Sequence, residues 1–212
     1  MSATIEPVAI GVLAKAPIAG FAKTRLIPAL GEAGAATLQA RFTERAVAAA
    51  TAAGTGPVTL WAAPDARHPA FAELGARFGA SLACQAEGDL GARMLAALAA
   101  ANDPALVIGT DCPVLAAEHL RAAADVLRNG TDVVVIPAED GGYALIGMRA
   151  PHPALFANMR WSSAGVMDET RRRLAQLGLT WGEPATLWDV DGSEDLARLR
   201  TVGLQHLIPA KT

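Results

Sequence analysis

Short apolar runs alternate along the chain with longer Ala-rich stretches whose apolar positions recur at helical spacing. The runs predict strands near 7–14, 57–63, 81–86, 105–109 and 131–137. The stretches between them predict helices near 32–53, 67–78, 90–101, 115–128, 163–177 and 193–202, with Pro57, Pro104 and Pro113 at boundaries. Strands that alternate with helices imply a parallel sheet covered on both faces. One segment breaks the pattern. Residues 142–148 (Gly-Tyr-Ala-Leu-Ile-Gly-Met) follow the preceding strand after only Ala138-Glu-Asp-Gly141. That gap is too short for a helical crossover, so the segment returns antiparallel. The fold class expected is α/β: a single-domain α/β/α sandwich over 1–212 with a mixed, mostly parallel sheet.

Composition narrows the function classes. The chain has 212 residues, 52% hydrophobic and 18% charged, enough for a full core. A net charge of −3 argues against nucleic-acid binding driven by bulk charge. No apolar run approaches the ~18 residues of a membrane span. Glu6 and Pro7 precede the first apolar run without a basic leader, unlike a secretory signal. Cys84 and Cys112 form no metal-ligand spacing and read as reduced, buried thiols of a cytoplasmic protein. His68, His119, His152 and His206 are scattered, and no Gly-x-Ser-x-Gly elbow is present, so a Ser-His-Asp hydrolase has no support.

The densest chemistry follows the first strand, in Lys15-Ala-Pro-Ile-Ala-Gly20-Phe-Ala-Lys23-Thr-Arg25-Leu26. A loop with three cations at the C-terminal end of a strand is placed to hold phosphates, and Arg25 can do so with a two-pronged hydrogen bond. It is neither a P-loop, because Gly20 and Lys23 are not adjacent, nor a dinucleotide fingerprint, which needs three glycines. The bland alternative is a solvated basic loop.

Four further stretches carry polar groups to strand ends. In Ile108-Gly-Thr-Asp111-Cys-Pro113 a buried strand ends in a carboxylate that can bind Mg²⁺ or Mn²⁺ or cap the next helix. In Trp188-Asp-Val-Asp191-Gly-Ser-Glu-Asp195, strand alternation puts Asp189 and Asp191 on one face, where a cation would relieve their repulsion; the alternative is that Asp191 and Ser193 serve a turn and the following helix. Glu194 and Asp195 read as helix-end residues. Asp140 before Gly141, Gly142 and Tyr143 either meets an acceptor hydroxyl or shapes a hairpin turn. Gln85 can read a base edge and Arg93 can reach phosphate or fasten the loop, the alternative being Asp89 as an N-cap with Arg93 solvated. Trp161 lines an acceptor pocket or simply packs, and Ser162 is a plausible cap.

Lys15-x-Pro-x-x-Gly-x-x-Lys-Thr-Arg-Leu26, Gly109-Thr-Asp-Cys-Pro113, Asp140-Gly-Gly-Tyr-x-Leu-Ile-Gly147 and Trp188-Asp-Val-Asp191 occur in that order. Together they resemble a bacterial family of GT-A-like nucleotide-diphospho-sugar transferases, often labelled selenodomain-associated transferase 1 and linked to arsenosugar biosynthesis. The resemblance spans about residues 8–200. It implies a divalent cation (Mg²⁺ or Mn²⁺) and transfer from a nucleoside-diphosphate sugar to a small-molecule acceptor. On that analogy Lys15, Gly20, Lys23 and Arg25 hold phosphate, and Asp111 binds metal with Asp189 or Asp191. Asp140 and Lys23 are the candidate catalytic groups. Because Cys112-Pro113 follows Asp111, no Asp-x-Asp pair exists there. This departure resembles the nucleotidylyltransferases of the fold, which join a nucleoside triphosphate to a phosphorylated small molecule. A nucleotide-binding module without turnover is the third reading.

Overall fold

The computed structural model describes residues 6–101 and 104–210. Seven strands form one sheet in the order β3-β2-β1-β4-β6-β5-β7. Its centre is β1 (Ala9–Lys15), parallel to β2 (Val58–Ala63) on one side and β4 (Ala105–Ile108) on the other. Pro57 and Pro104 immediately precede these two neighbours, where a missing N–H is tolerated. Parallel β3 (Ser81–Cys84) forms one edge. The expected return strand is β6 (Tyr143–Met148), antiparallel to both β4 and β5 (Val133–Pro137). The short β7 (Trp181–Gly182) pairs parallel to β5 and has no counterpart in the sequence reading.

Both faces of the central strands are apolar, as a covered sheet requires. Ile10, Val12, Leu106, Ile108, Val134 and Ile136 point into one core, under α1 (Ile27–Ala53), α2 (Pro69–Phe78) and α4 (Ala117–Arg128). Val107, Val133, Val135 and Ile146 point into the other, under α3 (Leu90–Ala99) and α5 (Val166–Leu177). A third cluster joins Leu26, Leu38 and Phe42 of the α1 region to Trp188, Val190 and α6 (Ser193–Thr201). That cluster fastens the C-terminal segment over the ends of β1 and β4. Helix α1 is interrupted at Gly31, whose φ of 72° breaks the helical path, so its regular part matches the expected 32–53.

Three local expectations are corrected. Residues 188–191 join no ladder; the segment is extended and held by single bonds, with one bridge between Leu187 and Ala138. Helix α5 begins at Val166 behind Gly165, and Ser162, with φ 61°, does not cap it. Cys84 is exposed, because β3 is an edge strand, while Cys112 is partly buried; both are free.

Candidate active site

The loops after β1, β4 and β5 meet at the C-terminal edge of the sheet, and the segment 187–191 is stitched across them. The Leu187 N–H donates to the Pro137 carbonyl at 2.9 Å, and the Glu139 N–H donates to the Leu187 carbonyl at 2.9 Å. The Val190 N–H donates to the Asp111 carbonyl at 2.8 Å. Extended backbone sends alternate side chains to the same side, so Asp189 and Asp191 reach the crevice although no ladder forms there.

These bonds bring three carboxylates together. Oxygens of Asp140, Asp189 and Asp191 lie within 4.8 Å of one another. The Asp189 carboxyl is pushed up to about 6, first by burial and then by the facing charges of Asp140, Asp191 and Asp111. A set of hard oxygen donors under mutual repulsion fits a Mg²⁺- or Mn²⁺-sized cation. Asp140 was read from sequence as a base or a turn residue, not as part of this group. Its Oδ1 accepts the Gly142 N–H at 2.8 Å, which is the turn role.

Asp111 stands beside the trio and does not cap α4, whose N-cap is Ala116. Its Oδ1 pairs with Lys23 Nζ at 2.7 Å. Arg25 Nη1 pairs with Asp191 Oδ2 at 3.0 Å, and both side chains are exposed. Lys15 is exposed at the end of β1 and has no ion pair among the described residues. Gly20, with φ 81°, turns the loop where a side chain would be strained. Lys23 and Arg25 thus share one crevice with the acidic residues. Burial pushes the neighbouring Cys112 thiol up to about 12. Asp195 is a helix-end residue as expected; its Oδ2 accepts the N–H groups of Asp191 and Gly192 at 2.9 and 2.8 Å.

Gln85 and Arg93 are turned toward the protein. The Gln85 amide nitrogen donates to the carbonyls of Ala14 at 3.0 Å and Trp61 at 2.9 Å, tying together the ends of β1 and β2. Arg93 Nε donates to the Gly88 carbonyl at 3.2 Å, and its Nη1 reaches Gln85 Oε1 at 3.5 Å. Gln85→Leu leaves both carbonyls without that donor. We expect a loss of about 1–3 kcal/mol, read from urea unfolding at constant m-value. Trp161 lies edge-on to Tyr143 and stacks on Phe156. Its Nε1 donates to Asp89 Oδ2 at 3.1 Å, while Asp89 Oδ1 caps α3 through the Ala92 N–H. Asp89 is therefore the N-cap that the bland reading expected, and Gly91 leaves room for the Trp161 ring.

Sequence reasoning missed the support beneath the crevice. Gln39 Nε2 donates to Thr110 Oγ1 at 3.0 Å and Thr43 Oγ1 at 3.2 Å, all three residues buried. Gln39 sits in an Ala-rich helix with no motif around it, so nothing in the chain flagged it.

Comparison with known proteins follows this geometry. Residues 46–163, more than half of the chain, match a family described as "uncharacterized protein conserved in bacteria (DUF2064)". The chain belongs to this family. No curated protein matches this DUF2064 chain. Among solved structures, it is similar to a candidate nucleotide-diphospho-sugar transferase from Desulfovibrio desulfuricans G20, with 28% identity and a TM-score of 0.81. That alignment covers 92% of this chain and 87% of the other. The 4-diphosphocytidyl-2C-methyl-D-erythritol synthase of Anaerococcus prevotii DSM 20548 aligns at a TM-score of 0.60 and 10% identity. It covers 94% of the DUF2064 chain and 99% of its own. Glucosyl-3-phosphoglycerate synthase of Mycobacterium tuberculosis, in complex with Mn²⁺, UDP and glucosyl-3-phosphoglycerate, aligns at 0.52 and 11% identity, covering 99% and 86%. These last two share the fold. The resemblance to bacterial GT-A-like transferases drawn from the four motifs agrees with the family match and the Desulfovibrio structure, and the sheet is the mixed, mostly parallel one expected. No described helix is long and apolar enough to cross a membrane.

Proposed function

We propose that this DUF2064 protein is a transferase acting on nucleotide-activated substrates, and that it moves a sugar from a nucleoside-diphosphate sugar to a small-molecule acceptor. One observation carries the reading: the Asp140, Asp189 and Asp191 trio shares its crevice with the Lys15 and Arg25 loop at the C-terminal edge of the sheet. A diphosphate leaving group needs cations around it, and the crevice supplies fixed ones beside carboxylates able to hold another. Asp189 and Asp191, with Asp140 or Asp111, would hold a divalent cation. When bound, that cation would supply charge neutralisation for the diphosphate. Arg25 would exchange Asp191 for a phosphate oxygen, and Lys15 would add a second positive charge. Asp140 keeps Oδ2 clear of the Gly142 bond, so it can accept a proton from an acceptor hydroxyl. Gly141, Gly142, Tyr143 and Trp161 border that position.

Asp111 favours a second reading. It is a single carboxylate before Cys112-Pro113, without a second Asp after it. A nucleotidylyltransferase would use the same cations and carboxylates on a nucleoside triphosphate, releasing pyrophosphate.

Thermal unfolding against nucleoside triphosphates and nucleoside-diphosphate sugars, with and without Mn²⁺, separates the two. A ligand that binds only the folded state adds about 2.7 kcal/mol at a hundredfold excess over its Kd. We expect a Mn²⁺-dependent rise in Tm with one diphospho-sugar and little change with triphosphates. The converse selects nucleotidyl transfer, and no shift with any ligand defeats both. Arg25→Ala should weaken a nucleoside diphosphate about 10- to 100-fold, as loss of a charge-assisted bond implies. Affinity for the nucleoside alone should stay unchanged; calorimetry reads both.

A further inference from the structure

Lys23 is by sequence a candidate phosphate ligand and catalytic group, and in the fold its ammonium is turned onto protein groups. Its φ of 48° and ψ of 47° lie in the left-handed region, which residues with a side chain seldom adopt. Its side chain is 6% exposed, against 71% for Arg25 two positions on. The ammonium donates to the Val190 carbonyl at 2.6 Å and pairs with Asp111 Oδ1 at 2.7 Å. The buried ring of Phe42 lies 5.3 Å from Nζ. Two of the three N–H donors of a lysine are thereby engaged.

The partners belong to different segments. Asp111 lies in the loop between β4 and α4, and Val190 lies between the two carboxylates of the C-terminal segment. A second bond runs the same way, from the Val190 N–H to the Asp111 carbonyl. Thr110, next to Asp111, is held from below by Gln39, one turn of α1 before Phe42. Lys23 therefore stands where loop 16–23, loop 109–113 and segment 187–191 converge. A residue kept in a sparsely populated backbone region is one its surroundings over-determine.

We propose that Lys23 is a positioning residue: it fastens Asp111 to the Val190 carbonyl and so sets Asp189 and Asp191 against Asp140. The proposal rests on the reading of this crevice as a metal and nucleotide site. It assigns the phosphate charges to Lys15 and Arg25.

The test begins with ligand-free protein, so that it does not depend on that reading. Hydrogen exchange by mass spectrometry is compared for wild type, Lys23→Met and Lys23→Arg. Lys23→Met should speed exchange about tenfold or more in peptides covering 109–113 and 187–191, by releasing a local restraint. The rest of the sheet should be unchanged, and Lys23→Arg should restore most of the protection. Unchanged exchange, or an increase spread evenly over the chain, overturns the proposal. If Lys23→Met does not fold, Asp111→Asn severs the ion pair alone and should speed exchange in the same two segments; no increase there overturns the proposal.

Mn²⁺ titration followed by electron paramagnetic resonance adds a test of sign. Lys23→Met makes the crevice more negative, so charge alone would tighten Mn²⁺. Lost positioning should instead weaken it about fivefold or more, because the carboxylates no longer converge. Tighter or unchanged Mn²⁺, together with weaker binding of inorganic pyrophosphate, would make Lys23 a phosphate ligand and overturn the proposal. If wild type binds no Mn²⁺, the metal reading falls, and the exchange result decides the role of Lys23 by itself.

Discussion

Asp189→Asn should make the metal-free protein more stable and at the same time abolish its response to divalent cations. The folded-state pKa of Asp189, about 6, lies above the ordinary 3.8, so the folded state binds protons more tightly than the unfolded one. Raising pH from about 4 to 6 therefore removes stability, and the penalty is fully present above 6. A shift of roughly two units corresponds to about 3 kcal/mol, which partial solvent access reduces to about 1–2 kcal/mol. Asn cannot ionise, so the variant should gain that amount at pH 7–8 and lose the pH dependence between 4 and 6. A bound cation relieves the same repulsion, so Mn²⁺ should raise the Tm of wild type and leave the variant unmoved. In wild type, Mn²⁺ affinity should fall as pH drops below about 6, because the ligand must be deprotonated. Urea unfolding across pH, with and without Mn²⁺, reads all of this. A less stable metal-free variant would show that the carboxylate is held by attraction rather than strained by repulsion.

Gly141→Ala should be among the most damaging single-methyl additions to this protein. Gly141 has φ 90°, and a Cβ there would lie 2.0 Å from the Ala164 carbonyl oxygen. That neighbour is backbone and cannot swing aside as a side chain could. The Gly141 carbonyl also accepts the Met167 N–H at 2.8 Å, so any shift disturbs the start of α5 as well. Backbone strain and steric overlap together should remove about 3–5 kcal/mol, read from urea unfolding. The displaced turn carries Asp140, so Mn²⁺ binding should weaken even where enough folded protein remains. Gly142→Ala is the control: its Cβ would first meet a side chain, that of Asp140 at 3.2 Å, rather than backbone.

The sheet was legible because its central strands are apolar on both faces and prolines precede β2 and β4. The antiparallel return of β6 followed from a gap too short for a crossover. β7 escaped because two residues carry no periodicity. The segment 188–191 reads as a strand because it alternates, yet its backbone groups bond to the Asp111 carbonyl and to the side chains of Lys23 and Asp195 rather than to a neighbouring strand. Its alternation still delivered Asp189 and Asp191 to one side. Within the site, the loop cations and the carboxylates could be named from residue type and position. Their pairing could not, because the Lys23–Asp111 and Arg25–Asp191 contacts depend on how distant loops converge. Asp89 shows the same limit. Sequence offered the cap, and only the fold reveals that its second oxygen also anchors Trp161.

The order in which the chain leaves the ribosome has a consequence for the crevice. All seven strands precede residue 187, and the segment that supplies Asp189 and Asp191 follows the last of them. During synthesis the sheet can therefore assemble, and the lysine loop can fold over it, before those two carboxylates emerge. Until they dock, Asp111 and Asp140 stand without them, and the Val190 carbonyl that receives Lys23 is missing. In chain order the architecture thus comes first, and the pair of carboxylates that completes its acidic centre follows.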